Sequence, residues 1–318
     1  MAYASSRRSV GVTSQMPLST EWPSLADEME LADTLFGPRG RALVASWLEV
    51  EAARVDDMEF ARLFSDHIDL PGVRAEDYLH RRIRTSAGNL LGGIRFYGRD
   101  VTRPFVEIIA HSFDDLDRLC DCVSREWSTF APPYLRVRAR PGRLSGANTL
   151  LDKSVYVARY RDMRPPSPHV WLEPFDWVED ADAIMSARYR MLGLDDPELA
   201  RNVFPSTAAD LGAWHESGQL RAIRTRDAVV GLLAVAPGAI RWIAGDEINE
   251  EVIAVEHRGH GYAAFAQAAW ATHVARDQSQ LLIGTIDRLN TASRRTAEAA
   301  GRRGVLDAVF AALGDVPR

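Results

Sequence analysis

The sequence has few cysteines, and this shortage excludes two classes of small, cross-linked protein. Its 318 residues include two, Cys120 and Cys122, which are separated by a single residue. Two thiols cannot build a disulfide framework, and they fall short of the four ligands of a structural zinc site. We therefore interpret both as ordinary thiols of a protein that resides in the reducing cytoplasm.

Long apolar runs are also missing. The longest uncharged apolar run, Ala228 to Ile240, is shorter than the roughly 20 residues that cross a bilayer, and it contains Pro237. Arg7 and Arg8 are not followed by an apolar segment, which argues against a twin-arginine export signal. We expect residues 1–24 to form a flexible polar leader and the protein to be cytoplasmic, with no membrane partner.

An excess of positive charge is absent as well. The 44 Asp and Glu residues outnumber the 38 Lys and Arg residues, which gives a formal net charge of −6. Nucleic acids and anionic membranes bind basic surfaces, so we expect no nucleic-acid partner. The remaining composition is that of a folded protein, with 46% hydrophobic and 26% charged residues, and the length fits two domains.

The clearest boundary is the segment 164–168, which reads Arg-Pro-Pro-Ser-Pro. Its prolines lack backbone donors and fix φ, so neither a helix nor a central strand can continue through it. We predict a domain over 25–163, a linker over 164–168 and a second domain over 169–318.

Hydrophobic periodicity predicts the elements of both halves. In the first half it predicts helices over 39–67 and 113–127 and strands over 90–94, 104–110, 134–139 and 154–159. In the second half it predicts strands over 170–172, 220–225, 229–235, about 247–255, 281–286 and 305–312, and helices over 180–192, about 207–217, 263–276 and 292–300.

The most informative segment runs from Glu250 to Ala263, as a strand, a glycine-containing turn and the start of an Ala-rich helix. Glycines let a backbone approach a ligand closely, and the first turn of a helix has free N–H groups at the positive end of its dipole. Together these features favour a pyrophosphate site. The segment lacks the Gly-Lys-Ser/Thr of a P-loop and the spacing of G-x-G-x-x-G.

The sequence Arg258-x-x-Gly261-x-Ala263 resembles the R/Q-x-x-G-x-G/A signature of the GNAT acyltransferases, which transfer an acyl group from acyl-coenzyme A to an amine. The element order of residues 168–316 is similar to that of the family, and Asn290-x-x-Ser293 followed by Gly301 resembles its later helix. The resemblance implies an α+β fold, with a mixed, mostly antiparallel sheet flanked by helices. It also implies an acyl-coenzyme A donor, acetyl-coenzyme A above all, or an acyl carrier protein's phosphopantetheine. The acceptor would be a small-molecule amine, and no metal is implied.

The resemblance assigns roles to individual positions. The backbone of Ile253 and Val255 would pair with the pantetheine arm like an added strand. Asn290 and Ser293 would lie near the thiol end of the donor. The pyrophosphate would be held by the main chain of the loop, with Arg258 beside it; the loop residues are Gly259, His260, Gly261, Tyr262 and Ala263.

An amine acceptor is protonated at pH 7 and must lose a proton before it attacks, so a carboxylate on the preceding strand is the expected general base. The candidates are Glu247, Glu250 and Glu251. Strict alternation puts Glu247 and Glu251 on the face of Ile253, and Glu250 on the opposite face with Ile248. We favour Glu251 as the base, and Glu250 after it.

Two positions depart from the family pattern. Many members place a Tyr where this sequence has Ala297, so the group that protonates the leaving thiolate stays open between Ser293, Tyr262 and a water. The residue after Gly301 is Arg302 rather than an aromatic. We interpret Arg302 and Arg303 as a pair of charges at a helix C-terminus.

The predicted strand, helix and strand over 104–139 repeat the order found around the motif, but their turn lacks the R-x-x-G-x-G pattern. We expect the first half to be a degenerate GNAT-like domain that binds no coenzyme and forms a wall of the acceptor cleft. The alternative function is a catalytically silent acyl-coenzyme A sensor. Ala297 favours that alternative, while three carboxylates on the strand argue against it.

Overall fold

The computed structural model describes residues 18–314, in which eleven strands form one sheet. Their spatial order is β1-β2-β3-β4-β11-β5-β10-β9-β8-β7-β6. The strands are β1 (Arg81–Arg84), β2 (Asn89–Phe96), β3 (Pro104–His111), β4 (Tyr134–Ala139), β5 (Thr149–Arg159), β6 (Trp171–Pro174), β7 (Leu220–Arg224), β8 (Val229–Ile240), β9 (Ile243–Ile253), β10 (Leu281–Asp287) and β11 (Arg303–Ala312).

Helices cover both faces of this sheet. They are α1 (Leu18–Glu21), α2 (Ala26–Phe36), α3 (Gly40–Ala53), α4 (Met58–Ser65), α5 (Leu116–Glu126), α6 (Val178–Asp195), α7 (Pro197–Ala200), α8 (Ala208–Glu216), α9 (Tyr262–Ala269) and α10 (Thr291–Ala300). None of these helices is long and apolar enough to cross a membrane.

Two pairs of neighbouring strands are parallel, β3 with β4 and β9 with β10, and the other pairs are antiparallel. Each parallel pair is connected by one helix, α5 in the first half and α9 in the second. The predicted α+β fold with a mixed, mostly antiparallel sheet is therefore confirmed, and so is the repeated strand-helix-strand order.

One strand crosses the predicted domain boundary. β5 belongs to the first half of the sequence, yet it pairs with β10 on one side and β11 on the other. The sheet is thus continuous, and neither a helix nor a strand runs through 164–168. The division into two domains at this segment stays a prediction.

The core of the second half lies on both faces of its strands, because successive side chains alternate. Ile223 and Leu233 pack against Ala266 and Trp270 of the α9 segment, whereas Leu232 packs with α6 and α8 on the opposite face. A third cluster joins α2 and α3 to the middle of the sheet. The helices are thereby fixed around the point where β9 and β10 meet.

Several predicted boundaries were wrong. The helix predicted over 39–67 is two helices, because the Asp57 side chain accepts the backbone N–H groups of Glu59 and Phe60 and starts α4 anew. β9 begins and ends earlier than predicted, since it forms one long hairpin with β8 that turns at Arg241. Val255 consequently lies in a 3₁₀ turn after the strand.

The predicted flexible leader also differs in its last residues. Residues 18–24 form short helical turns, and the indole of Trp22 is 3% exposed within the cluster below α2 and α3. Burial of so large an aromatic side chain anchors the segment. Residues 1–17 lie outside the described residues.

Candidate functional site

The site begins where two parallel strands separate. β9 and β10 are paired at Asp246 with Leu282 and at Glu247 with Ile283, and beyond these pairs the two strands are no longer bonded to each other. The edge of β9 from Ile248 to Ile253 has no strand partner on the β10 side within the described residues. A cavity of about 700 Å³ fills the gap between the strands.

A left-handed loop closes one end of this cavity. Gly259 and Gly261 have φ values of 84° and 73°, a region that strongly favours glycine, and α9 begins at Tyr262. Gly261 is the N-cap residue, so the first N–H groups of α9 lack acceptors within the helix. The loop thus presents free backbone N–H groups at the start of a helix, an arrangement that favours an anion.

Two arginines stand beside this loop. Arg258 donates to Asp195, at the end of α6, over 3.1 Å, and both side chains are 43% exposed. A surface ion pair of this kind is weak, so Arg258 can exchange its partner for a ligand phosphate. Burial, together with the charge of Arg258, lowers the pKa of Arg188, and Nη1 of Arg188 has no acceptor among the described residues.

The structure brings the predicted site residues together. Two of them do not line the cavity: Glu247, the third candidate base, and Val255, whose place in the 3₁₀ turn puts it beyond the end of the open strand edge. The lining residues from that set are Glu250, Glu251, Ile253, Arg258, Gly259, His260, Gly261, Tyr262, Ala263, Asn290 and Ser293. Their individual roles stay predictions.

The Glu250 carboxylate is tightly held. It is 5% exposed and accepts hydrogen bonds from the Tyr189 hydroxyl at 3.1 Å and from both the backbone N–H and the hydroxyl of Ser206 at 3.0 Å. Burial raises the pKa of Glu250, and these donors oppose the rise. Three protein donors therefore already bind its two oxygens.

The Glu251 carboxylate is less constrained. Both of its oxygens lie 2.9 Å from the side-chain nitrogen of Gln267, and Gln267 in turn accepts from Nε of Arg302 at 3.0 Å. Burial raises the pKa of Glu251 to about 7, against the lowering effects of the Arg302 charge and the Gln267 hydrogen bond. A carboxyl group that titrates near neutral pH can act as either acid or base.

The predicted grouping of side chains on β9 was partly wrong. Ala234 pairs with Glu250 but Val235 pairs with Ile248, so Asn249 is the extra residue of a β-bulge. The bulge turns Ile248 to the α9 face, where it packs in the same cluster as Ile253. Glu250 and Glu251 still point to opposite faces, toward Ser206 and Gln267 respectively.

The start of α10 forms the opposite wall. Asn290 is its N-cap residue, and its side-chain oxygen accepts the backbone N–H of Ser293 at 3.0 Å. Ala297, at the position of the missing tyrosine, is fully buried beside Tyr156 of β5 and Ile286. The Tyr156 hydroxyl is 3.5 Å from Glu298, so it does not replace the missing group in the main cavity.

Four important residues were missed from the sequence. Tyr189 and Arg188 carry no motif and reach the cavity only through the packing of α6. Gln267 is a lone polar residue in an Ala-rich helix and is fully buried, a sign that could have been used. Arg302 was predicted only as one of a pair of charges at a helix C-terminus; it does follow α10, but it is 5% exposed and lines the cavity.

The first half does not wall the cavity as predicted. Every lining residue lies between Arg188 and Arg302. The first half instead supports the loop after α7, since Arg103 donates to the Arg201 carbonyl and to the Asn202 side chain at 3.0 and 2.8 Å. At the turn between β3 and α5, Phe113 is buried in the local core.

Metal ligands are not clustered in residues 18–314: no group of three or more His, Cys, Asp or Glu side chains is arranged to hold an ion. The cavity's own charges are four arginines and two glutamates. The arginines are Arg188, Arg258, Arg295 and Arg302.

Comparisons with known proteins give structural matches alone. No family model matches the chain, and no curated protein matches it. It is similar to an acetyltransferase of the GNAT family from Colwellia psychrerythraea, with 11% identity, 83% of this chain and 96% of that chain covered, and a TM-score of 0.46. A GCN5-related N-acetyltransferase from Sphaerobacter thermophilus gives 13% identity, 82% and 90% coverage, and a TM-score of 0.43.

A further similar structure contains two such units in one chain. It is a tandem GNAT protein from the clavulanic acid biosynthesis pathway, with 12% identity, 83% of this chain and 98% of that chain covered, and a TM-score of 0.39. The solved structures to which this chain is similar thus include GNAT acetyltransferases and a tandem GNAT protein.

Proposed function

We propose that this protein is an N-acyltransferase that moves an acyl group from an acyl-coenzyme A thioester to the amine of a small molecule. One observation carries the proposal. The open edge of β9, the left-handed glycine loop, the N-terminus of α9 and the two candidate carboxylates all border a single cavity. Each of these features has a separate use in acyl transfer, and a structural role alone does not explain their convergence.

The residues present fit an acyl-coenzyme A donor. The pyrophosphate would be held by the main chain of residues 259–263 and by Arg258. The unpaired backbone of β9 up to Ile253 would bond to the amide groups of the pantetheine arm, as an added strand does. Asn290 and Ser293 lie across the gap, where the thiol end would be positioned. When bound, the donor supplies the activated acyl group.

The chain's own residues would promote attack by the amine. Glu251 would accept the proton of the incoming ammonium, because its pKa lies near 7 and its oxygens have one protein donor. Glu250, held by Tyr189 and Ser206, would fix the local shape of the strand. Free N–H groups on the β9 edge would stabilise negative charge that develops on the thioester oxygen.

Two groups from the sequence prediction remain candidates for protonating the leaving thiolate. Ser293 and Tyr262 both line the cavity, and His260 stacks on the Tyr262 ring with centroids 5.3 Å apart. A thiolate is a good leaving group at neutral pH, so its protonation needs less catalytic assistance than removal of the amine proton.

The first experiment is isothermal titration of acetyl-coenzyme A into the wild type and into Gly261→Pro. Proline cannot adopt the φ of 73° at this position, so the variant should lose binding. Gly72→Pro is the matched control, because Gly72 has a φ of 78° in a first-half turn away from the cavity. Equal binding by all three proteins would place the donor elsewhere.

An acyl carrier protein is an alternative source of the thioester. Its phosphopantetheine would use the same edge of β9 but would lack the nucleotide. Arg258→Ala should therefore raise KM for acyl-coenzyme A and leave KM for a carrier-bound donor within about twofold. An equal loss with both donors would assign Arg258 a role other than nucleotide binding.

A silent acyl-coenzyme A sensor is the second candidate, and buried Ala297 in place of a tyrosine is the observation that favours it. A sensor binds acetyl-coenzyme A and releases no thiol with any amine. Detection of free thiol from a panel of small amines, absent in Glu251→Gln, would exclude the sensor.

A further inference from the structure

Arg302 is a charged side chain on the cavity wall whose hydrogen bonding is incomplete. It follows Gly301 at the end of α10, precedes β11, and is 5% exposed. Its Nε donates to Gln267, whereas Nη1 has no acceptor among the described residues. Burial lowers the pKa of Arg302 only to about 10, so the group stays charged at neutral pH. A buried cation of this kind is costly until an anion completes its bonds.

The strand opposite Arg302 makes room for the guanidinium, because it carries a glycine at the point of contact. Gly284 lies on β10 beyond its last pair with β9, and it also lines the cavity. A Cβ at Gly284 would be 2.9 Å from Nη1 of Arg302. The backbone of Gly284 is not left-handed, so the need for glycine here comes from space rather than from conformation.

The nearest carboxylate does not satisfy this guanidinium. Glu251 is joined to Arg302 through Gln267, and the described residues contain no direct ion pair between them. Arg258 differs, since its side chain is 43% exposed and already bonded to Asp195. Arg188 also has an Nη1 without an acceptor among the described residues, but it lies beside Arg258 and the glycine loop. Arg302 is therefore the buried cation with an unused donor that is linked to the proposed general base.

We propose that the cavity takes a substrate with a carboxylate near its reacting group, and that the Arg302 guanidinium, packed against Gly284, binds this carboxylate. The inference rests on the proposed acyl transfer. Arginine and carboxylate match in geometry, because the planar guanidinium can donate two parallel hydrogen bonds. The carboxylate belongs either to a dicarboxylic acyl group on the donor or to an amino-acid acceptor, and the chemistry at Arg302 is the same.

The donor arm of the test compares acetyl-coenzyme A with succinyl-coenzyme A by isothermal titration into the full chain. If the donor supplies the carboxylate, succinyl-coenzyme A should bind at least tenfold more tightly to the wild type. Arg302→Met should remove this preference, so that its Kd values for the two donors differ by less than twofold. Arg303→Met is the matched control, because Arg303 is the exposed neighbour and does not line the cavity.

The acceptor arm uses acetyl-coenzyme A at saturation and measures thiol release with amino acids and with the corresponding amines that lack the carboxylate. If the acceptor supplies the carboxylate, kcat/KM should favour the amino acids at least tenfold in the wild type and in Arg303→Met. Arg302→Met should abolish the preference through KM, whereas a structural role would lower kcat/KM for both classes equally.

A second variant guards against a loss of preference that comes only from misfolding. Gly284→Ala adds a methyl group against the movable end of Arg302, so it should weaken the carboxylate preference without removing any charge. Two results would overturn the inference if acetyl-coenzyme A still binds. One is that the wild type shows no preference for a carboxylate in either arm. The other is that the preference survives in both Arg302→Met and Gly284→Ala. Failure of every thioester to bind would overturn the proposed function and this inference together.

Discussion

Glu250 and Glu251 are adjacent in sequence, yet their carboxylates meet different surroundings. Glu250 is fixed by a tyrosine hydroxyl and by two groups of Ser206, while Glu251 has one amide donor and a distant guanidinium. Burial raises the pKa of both, and in Glu251 the value reaches about 7. A proton acceptor near neutral pH is therefore available on one face of β9.

We expect Glu251→Gln to lower kcat by roughly 10²- to 10⁴-fold, the usual contribution of a general base. The wild-type rate should rise with pH through about 7, as Glu251 loses its proton, and the remaining activity of the variant should not. Stopped assays of thiol release from pH 5 to 9 measure both.

Two further variants distinguish the contribution of Glu251 from those of the other glutamates on the strand. Glu250→Gln should change the rate less, and Glu247→Gln, on the same strand but outside the cavity, should leave it within about twofold. An equal pH profile in the wild type and Glu251→Gln would exclude Glu251 as the base.

At the scale of elements, a buried group of charges ties β3 and β4 to the tip of the β8–β9 hairpin. Glu107 on β3 is 6% exposed and forms ion pairs with Arg136 and Arg138 of β4, and it lies 3.9 Å from Arg241 at the hairpin turn. Arg241 also pairs with Glu28 of α2. The strand that carries the site is thereby fixed at its far end to the first half.

We expect Glu107→Gln to lower the free energy of unfolding by about 3–5 kcal/mol, because it leaves buried guanidinium groups unpaired. Burial alone would raise the pKa of Glu107, but Arg136, Arg138 and Arg241 outweigh it and lower the pKa to about 2. The stability from this group is present above the unfolded-state pKa of 4.5 and disappears as the pH falls to about 2.

Urea unfolding at several pH values tests this account. The wild type should lose about 3 kcal/mol more than Glu107→Gln between pH 4.5 and 2. Glu30→Gln is the control, since Glu30 forms an exposed pair with Arg140 and should change stability by at most about 0.5 kcal/mol. Parallel pH curves for the wild type and Glu107→Gln would contradict the role of this pair.

Local patterns predicted the elements and the loop well. β4 has the predicted bounds, α10 begins one residue before its predicted start, and Gly259 and Gly261 have the left-handed conformations that the turn required. The bulge at Asn249 could not be predicted, because it arises from the pairing of β9 with β8 rather than from side-chain alternation. Arg302 was missed for a similar reason, as β10 and α9 bring Gly284 and Gln267 to it from distant parts of the sequence.

At the scale of the whole molecule, the sheet joins the two halves through β5. Without that strand, β10 and β11 would lose the neighbour that lies between them and would expose two open edges. A strand from the first half of the sequence thus completes the sheet of the second half.

We expect a chain divided after Ser167 to be recovered only when both fragments, 1–167 and 168–318, are produced together. The cut falls where no helix or strand runs, so the paired fragments should reassemble. Fragment 168–318 alone should aggregate or lack a cooperative unfolding transition, as measured by size-exclusion chromatography and circular dichroism. A monomeric fragment 168–318 that unfolds cooperatively and binds acetyl-coenzyme A would refute this expectation.

The place of β5 also sets an order of events during translation. β5 ends at Arg159 and leaves the ribosome before either of its partners, which begin at Leu281 and Arg303, has been made. During that interval its N–H and C=O groups have no strand to bond. Asp152 and Lys153 lie within β5, and charged side chains on an unpaired strand disfavour pairing with the wrong chain. The charges in the middle of β5 thus disfavour aggregation of the nascent chain until β10 and β11 have been made.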